Sequence, residues 1–321
     1  MSVALPKEVF RFTSSVMETS SIYPIAAGPD GNKPLERVAW TRELMQALTS
    51  FRQPPIAAYD IHFYNWNVDH EEDTPVRFDQ EGWDRVIHGS LELEDVIEEQ
   101  WALIQEGLAL VPAPEVALGP PPLKHIDLIV GEWGNWHRDA FFARPALFQQ
   151  VTMRDAISTA LTLDILQRNC DKVAVACNAQ TVNVLNALIL TEGEHTVLTP
   201  NYDVFMMYKA HRGATALQVS RVDEASGVHV FASVTEDVVL VNLINVAMSD
   251  EAEVELEFAV PVRLEQVESL ASDEPTAHNT ADSPDTVRRV ATTLAGDPGR
   301  SHRVRLAPGS VNLLRARVVA E

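Results

Sequence analysis

Near Leu217 the apolar residues of this chain change period, and that change limits the folds open to it. Before it, short apolar runs alternate with stretches in which apolar residues recur every three to four positions, as in strand-helix-strand units of a parallel sheet. Helices are predicted from Pro6 to about Thr19, around Trp40, Leu44, Met45 and Leu48, from about Gln80 to Leu110, and from Thr152 to Asn169. The last is the best defined. Thr152 and Asp155 have the spacing of an N-terminal cap, and Met153, Ile157, Leu161 and Ile165 recur every fourth residue. Strands are predicted at 22–27, 56–64, 126–131 and 172–177, and the five prolines between Val111 and Leu123 mark a surface connection. After Leu217 the period is two: Val254, Leu256 and Phe258 alternate with Glu253, Glu255 and Glu257, and Val304 and Leu306 with Arg303 and Arg305. That pattern predicts an antiparallel β-sandwich, interrupted by a polar loop at Asp273–Asp285. The expected division is 1–200 for the α/β part and 201–321 for the sandwich with a leading helix.

A chain of 321 residues exceeds what one core usually holds, which fits two domains. It has no apolar run of about 18 residues and no basic-then-apolar start, so a cytoplasmic protein is expected. The net charge of −21 would repel nucleic acid and anionic membranes, while a neutral saccharide is indifferent to it. Cys170 and Cys177 lack metal-ligand spacing and are expected to be buried free thiols. The run Asp69-His70-Glu71-Glu72-Asp73 lacks the alternating ligands of a calcium loop and is expected to face solvent. No metal or cofactor is expected.

Three predicted strand ends carry chemistry: His62-Phe63-Tyr64-Asn65-Trp66, Glu132-Trp133-Gly134-Asn135-Trp136 and Asn178-Ala179-Gln180-Thr181-Val182-Asn183. An acid where a strand passes into a loop with two tryptophans suits sugar cleavage, because a carboxylate can attack or stabilise the cationic sugar while indole faces pack on its ring. Plainer roles are open for each residue. Glu132 could be a solvated strand-end acid, His62 a histidine bonded to backbone, Tyr64, Trp133 and Trp136 core aromatics, and Gln180 a helix cap.

These segments, with the Ala-Ala-Gly-Pro-Asp-Gly turn at 26–31 and the stretch from Tyr202 to His211, resemble in order the C-terminal half of family-51 glycoside hydrolases, the α-L-arabinofuranosidases. The resemblance implies strands five to eight of a (β/α)8 TIM barrel followed by a β-sandwich. It implies a retaining hydrolase that releases terminal α-L-arabinofuranosyl residues from arabinose-containing oligo- or polysaccharides. Glu132 would be the nucleophile, with His62, Tyr64, Trp133, Trp136 and Gln180 as substrate-binding or pocket residues. The family tends to form homo-oligomers.

The chain departs from the family at two points. Retaining hydrolysis needs a second carboxyl roughly 5–5.5 Å from the first. The family draws it from an Asn-Glu pair after strand four, and no Asn-Glu occurs in the 321 residues. Gly131 stands where an acid is common. The chain is therefore expected to be a fragment without activity alone, one half of a split enzyme completed by a separately encoded N-terminal half, or a non-catalytic sugar-binding or scaffold relative.

Overall fold

The computed structural model describes residues 23–49, 56–111, 125–220 and 227–319. The helix expected at Pro6–Thr19 and most of the proline-rich connection lie outside the described residues. The chain divides into two compact units. One gathers the described residues of Met1–Tyr64, Leu93–Trp133 and Asn169–Cys177, the other those of Asn65–Glu92, Gly134–Arg168 and Asn178–Glu321.

Strands and helices alternate along the first part of the chain: β1 (Ile25–Ala26), α1 (Pro34–Leu48), β2 (Ala58–Asn67), α2 (Gln80–Ala109), β3 (Asp127–His137), α3 (Met153–Arg168) and β4 (Val173–Asn178). The four strands form one sheet in chain order, with β1 and β2 parallel. Helix α1 starts at Pro34, whose fixed φ suits a first helical turn and whose missing N–H costs nothing there. Tyr59, Ile61, Ile97, Ile104, Leu128 and Val130 are buried in the core of the first unit.

The outer strands differ from this interior. Ile25 and Val175 are 49% and 46% exposed, and Ala174 to Cys177 all face solvent. The expectation of buried thiols is thereby corrected: Cys177 lies on the open face of β4, and Cys170 is exposed in the turn after α3.

The turn after β1 is laced to the backbone of β2. A Cβ on Gly28 would fall 1.9 Å from the Asp60 carbonyl oxygen, so only glycine permits the approach. The Gly31 N–H donates to the His62 carbonyl at 2.7 Å, and the Asn32 side chain accepts the Tyr64 N–H at 2.9 Å while donating to the Tyr64 carbonyl at 2.6 Å. Residues 60, 62 and 64 are thus fixed from the side.

In the second unit α3 is buried on nearly all sides, and the predicted cap forms, with the Thr152 N–H donating to Asp155 Oδ2 at 2.9 Å. Met153, Ile157 and Leu161 share a core with Trp83, with Val204 of α4 (Pro200–Tyr208) and with Leu240 of β9 (Val238–Asn245). No helix directly follows β4 for Gln180 to cap. A turn leads into the hairpin β5 (Ile189–Glu192) and β6 (His195–Leu198).

The rest is antiparallel: β7 (Thr215–Leu217), β8 (Val228–Thr235), β9, β10 (Ala252–Leu270), β11 (Val290–Thr293), β12 (Gly299–Leu306) and β13 (Ser310–Val318). Strand β10 pairs first with β12 and, after a register shift between Glu257 and Val262, with β13. Val254, Leu256 and Phe258 pack on a cluster that includes Val239, Val241, Leu243 and Leu314, while Glu253, Glu255 and Glu257 are exposed. The expected period-two, all-β region is present.

Strands β2 and β3 run further than predicted, to Asn67 and His137. Glu132, Trp133 and Trp136 therefore stand on a strand, not in a loop. The polar residues that resembled loop are buried and bonded to each other. Asn65 donates to Asn135 Oδ1 at 3.1 Å, Asn67 Nδ2 lies 3.1 Å from His137 Nδ1, and His137 Nε2 lies 2.8 Å from Asp155 Oδ1. With these partners supplied, the strand can stay inside. The acid run is exposed from Asp69 to Glu72 as expected and departs from expectation at Asp73, which is 5% exposed and pairs at 2.7 Å with the buried Arg154 guanidinium.

Candidate active site

Side chains two apart on a strand share a face, so β2 presents Asp60, His62 and Tyr64 together while Tyr59, Ile61 and Phe63 turn into the core. Glu132 of β3 meets this row. Its side chain is 39% exposed, open enough for a ligand. The Tyr64 hydroxyl donates to Glu132 Oε2 at 2.6 Å, and His62 Nδ1 lies 3.4 Å from the same oxygen. On its other side, His62 Nε2 is 3.2 Å from Asp60 Oδ2.

Burial raises the Tyr64 hydroxyl pKa above its ordinary value, and the hydrogen bond and charge of Glu132 push it further up. The phenol therefore stays protonated near neutrality and remains a donor. Such a bond fixes the orientation of the carboxylate. Burial also raises the Asp60 carboxyl, against the pull of His62 and the Gly131 N–H, with Glu132 adding to the rise. One carboxylate is thus held by the Tyr64 hydroxyl, with the His62 ring beside the same oxygen and part of its surface open, an arrangement that can attack an electrophilic carbon or stabilise a developing cation.

The other expected residues are not part of this row. Trp133 is 2% exposed and has no free face for a ligand to stack on. Trp136 belongs to the second unit, where it stacks on Trp66 at 5.1 Å with planes 7° apart and on Phe141 at 5.2 Å. Trp66 and Phe141 are exposed, so this unit carries an aromatic surface. Gln180 is an exposed residue of the second unit, its N–H donating to the Val184 carbonyl at 3.0 Å. Among the described residues no group of three or more His, Cys, Asp or Glu could hold a metal ion, and no helix is long and apolar enough to cross a membrane.

Sequence reasoning missed Asp60 and gave Trp66 no role. The signal for Asp60 was period two: it precedes His62 and Tyr64 by two and four residues on a strand whose intervening positions are apolar. It also bears on the departure at Gly131, because the Asp60 carboxylate accepts the Gly131 N–H at 2.8 Å.

Comparison with known proteins adds the following. Residues 131–310 match the family model for the alpha-L-arabinofuranosidase C-terminal domain. An intracellular exo-alpha-L-arabinofuranosidase of Bacteroides ovatus is 42% identical over 106 residues, 33% of this chain and 21% of that protein. A probable alpha-L-arabinofuranosidase C of Aspergillus fumigatus is 24% identical over 257 residues, 74% of this chain and 47% of that protein. Among solved structures, the GH51 arabinofuranosidase from Xanthomonas axonopodis pv. citri superposes with a TM-score of 0.77 at 25% identity, over 96% of this chain and 63% of its own. The matches to curated relatives thus take in less than half of each relative's length.

Proposed function

Because the chain belongs to the family defined by the alpha-L-arabinofuranosidase C-terminal domain, we propose that it is the nucleophile-bearing part of a retaining α-L-arabinofuranosidase. The observation that carries this reading is the half-exposed Glu132 carboxylate, with the Tyr64 hydroxyl at 2.6 Å and His62 at 3.4 Å on one oxygen. Glu132 attacks the anomeric carbon of a terminal α-L-arabinofuranosyl unit, the leaving oxygen takes a proton from a general acid, and water then hydrolyses the arabinosyl-enzyme ester. Tyr64 and His62 orient the nucleophile. On the resemblance alone, Gln180, Trp133 and Trp136 are proposed as further substrate-binding residues. Arabinose-containing oligo- and polysaccharides are the substrates.

Residues 1–200 correspond, in this reading, to strands five to eight of a (β/α)8 barrel, and 201–321 to the sandwich. The order of β1 to β4 and their intervening helices supports it. The general acid comes from outside this sequence, which has no Asn-Glu pair. A polypeptide segment that is not part of this sequence supplies it, and the exposed apolar residues Ile25 and Val175 on the outer strands favour such a partner. Alone, the chain turns over substrate slowly, since general acid assistance contributes about 10²–10⁴-fold. A cytoplasmic site of action agrees with the intracellular name of the Bacteroides ovatus relative.

The test is labelling with an arabinofuranose-configured mechanism-based reagent, for the chain alone and mixed with the product of the neighbouring gene, with adducts mapped by mass spectrometry. The adduct is expected on Glu132, and Glu132→Gln should lower labelling by at least about a thousandfold. An adduct on another residue, or undiminished labelling of the variant, would overturn the assignment.

A further inference from the structure

Gly131, immediately before the nucleophile, has its side-chain space filled from the neighbouring strand. An ideal Cβ at this position would lie 2.3 Å from Asp60 Oδ1 and 2.8 Å from its Cγ and Oδ2, distances that no packed atom tolerates. The carboxylate that takes this space has two partners. Asp60 Oδ1 accepts the Gly131 N–H at 2.8 Å, and Oδ2 faces His62 Nε2 at 3.2 Å. The opposite ring nitrogen of His62 faces Glu132 Oε2 at 3.4 Å. A single carboxyl group thus touches both the backbone before Glu132 and the imidazole beside it.

We propose that Asp60 is a positioning residue for Glu132, acting through the Gly131 amide and the His62 ring, and that positions 60 and 131 are alternative sources of one required carboxylate. This rests on the reading of Glu132 as nucleophile. The backbone contact sets where β3 delivers the Glu132 Cα, and the imidazole contact sets which way the ring presents Nδ1. Imidazole can rotate about its χ2 bond with little resistance, so without an acceptor at Nε2 its two orientations compete. An acceptor on that side selects one, much as a carboxylate behind a catalytic histidine selects its tautomer and orientation. Half of the His62 side chain is open to solvent, so packing alone does not hold it.

The geometry makes the idea testable by moving the charge between strands. Asp60→Ser empties the space, Asp60→Ser with Gly131→Asp refills it with a carboxylate from β3, and Asp60→Ser with Gly131→Asn refills it with equal volume but no charge. Asp60→Asn is the mildest variant and serves if Asp60→Ser folds poorly, which thermal melting reports. The first readout needs no sugar: histidine-selective nitrogen-15 spectra of the full chain, following the two ring nitrogens of His62. Asp60→Ser and Asp60→Asn should shift the proton between Nδ1 and Nε2. The Ser/Asp pair should return the wild-type spectrum and the Ser/Asn pair should not. The second is the rate of Glu132 labelling, expected to fall at least tenfold in Asp60→Ser and Asp60→Asn and to recover to within threefold of wild type in the Ser/Asp pair alone. If His62 is unmoved by the Asp60 changes, the carboxylate is only filling space, and if Asn at 131 restores it as well as Asp, an uncharged acceptor suffices; either result overturns the proposal. If wild-type Glu132 takes no label, the nucleophile reading fails instead, and the spectra still decide the role of Asp60.

Discussion

Two histidines, one on each of two neighbouring strands, face carboxylates in different surroundings. His62 lies 3.2 Å from Asp60 and 3.4 Å from Glu132, with 43% of its side chain exposed. His137 lies 2.8 Å from Asp155 and 3.1 Å from Asn67 and is fully buried. Around His137 the hydrogen-bonding capacity is spent internally: the Asn135 side chain also donates to Asp155 Oδ1, and Ser158 donates back to Asn135 at 2.7 Å. Around His62 the contacts are longer, and the Glu132 carboxylate keeps surface that a ligand can reach. The partners of His137 are thus committed to one another, whereas beside His62 a carboxylate is held yet open.

Removing each ring is the strongest way to break that comparison. His137→Ala leaves the buried Asp155 carboxylate without its main partner, a change that costs about 3–5 kcal/mol in comparable buried pairs. Half-exposed His62 leaves no buried charge behind, so His62→Ala should cost less than about 1 kcal/mol. Urea unfolding measures both. The labelling rate should respond in reverse, falling for His62→Ala and, among molecules that remain folded, staying near wild type for His137→Ala. Equal stability losses would show that exposure does not separate the two sites.

The same contrast explains what could be read from sequence. Apolar periodicity located the core of α3, where Met153, Ile157, Leu161 and Ile165 are all buried, and the alternation of β10, where Val254, Leu256 and Phe258 turn to the core. Motif order located Glu132, His62 and Tyr64, which the fold brings together. Periodicity fails where polar residues are buried by pairing with one another, because their partners are distant in sequence. Asn65 with Asn135 and Asn67 with His137 each span 70 residues, so the ends of β2 and β3 looked like loop. Asp73 with Arg154 spans 81, so a buried ion pair looked like a solvated acid run. Asp60 was passed over although period two put it in line with His62 and Tyr64, because its bond to Gly131 reaches a neighbour only across the sheet.

A second buried carboxylate sharpens the structural side through its response to pH. Burial raises Asp164 to about 7, despite hydrogen bonds from Asn242 and Tyr208 and the nearby charge of Arg168, and its Oδ2 has no hydrogen-bond partner among the described residues. For Asp155 burial also raises the value, but the His137 ring, Arg154 and the Thr152 N–H outweigh it and bring it to about 2. The two therefore act with opposite sign. Asp164 binds its proton more tightly folded than unfolded, so its contribution is complete below about pH 4 and is lost as pH rises through about 7. The contribution of Asp155 is present above about pH 4 and lost as pH falls through about 2. Asp164→Asn mimics the protonated form and keeps an acceptor for Tyr208 and Asn242. Its melting midpoint should come closest to wild type near pH 4 and exceed it increasingly as pH rises to 8, by several degrees, as expected for a change on the order of a few kcal/mol. A constant difference across that range would mean that Asp164 does not titrate there.

The smallest expected effect concerns Trp66, which is 39% exposed yet stacked on Trp136. It combines the access of His62 with the internal partnership of His137, so it tests which property governs. An aromatic pair of this geometry is worth about 0.5–1.5 kcal/mol beyond the area it buries. Trp66→Ala should therefore lower stability by about 1 kcal/mol, and Trp66→Phe, which retains a stackable ring, by less. A monosaccharide-sized reagent reacts at Glu132 alone, and its labelling rate should change by less than about threefold in either variant, because neither alters the contacts of Tyr64 or His62 with the carboxylate. If instead the labelling rate falls tenfold with stability unchanged, the indole contributes to sugar binding and not to the strand pair. Access to solvent, more than the completeness of internal bonding, would then be what marks a functional residue on these two strands.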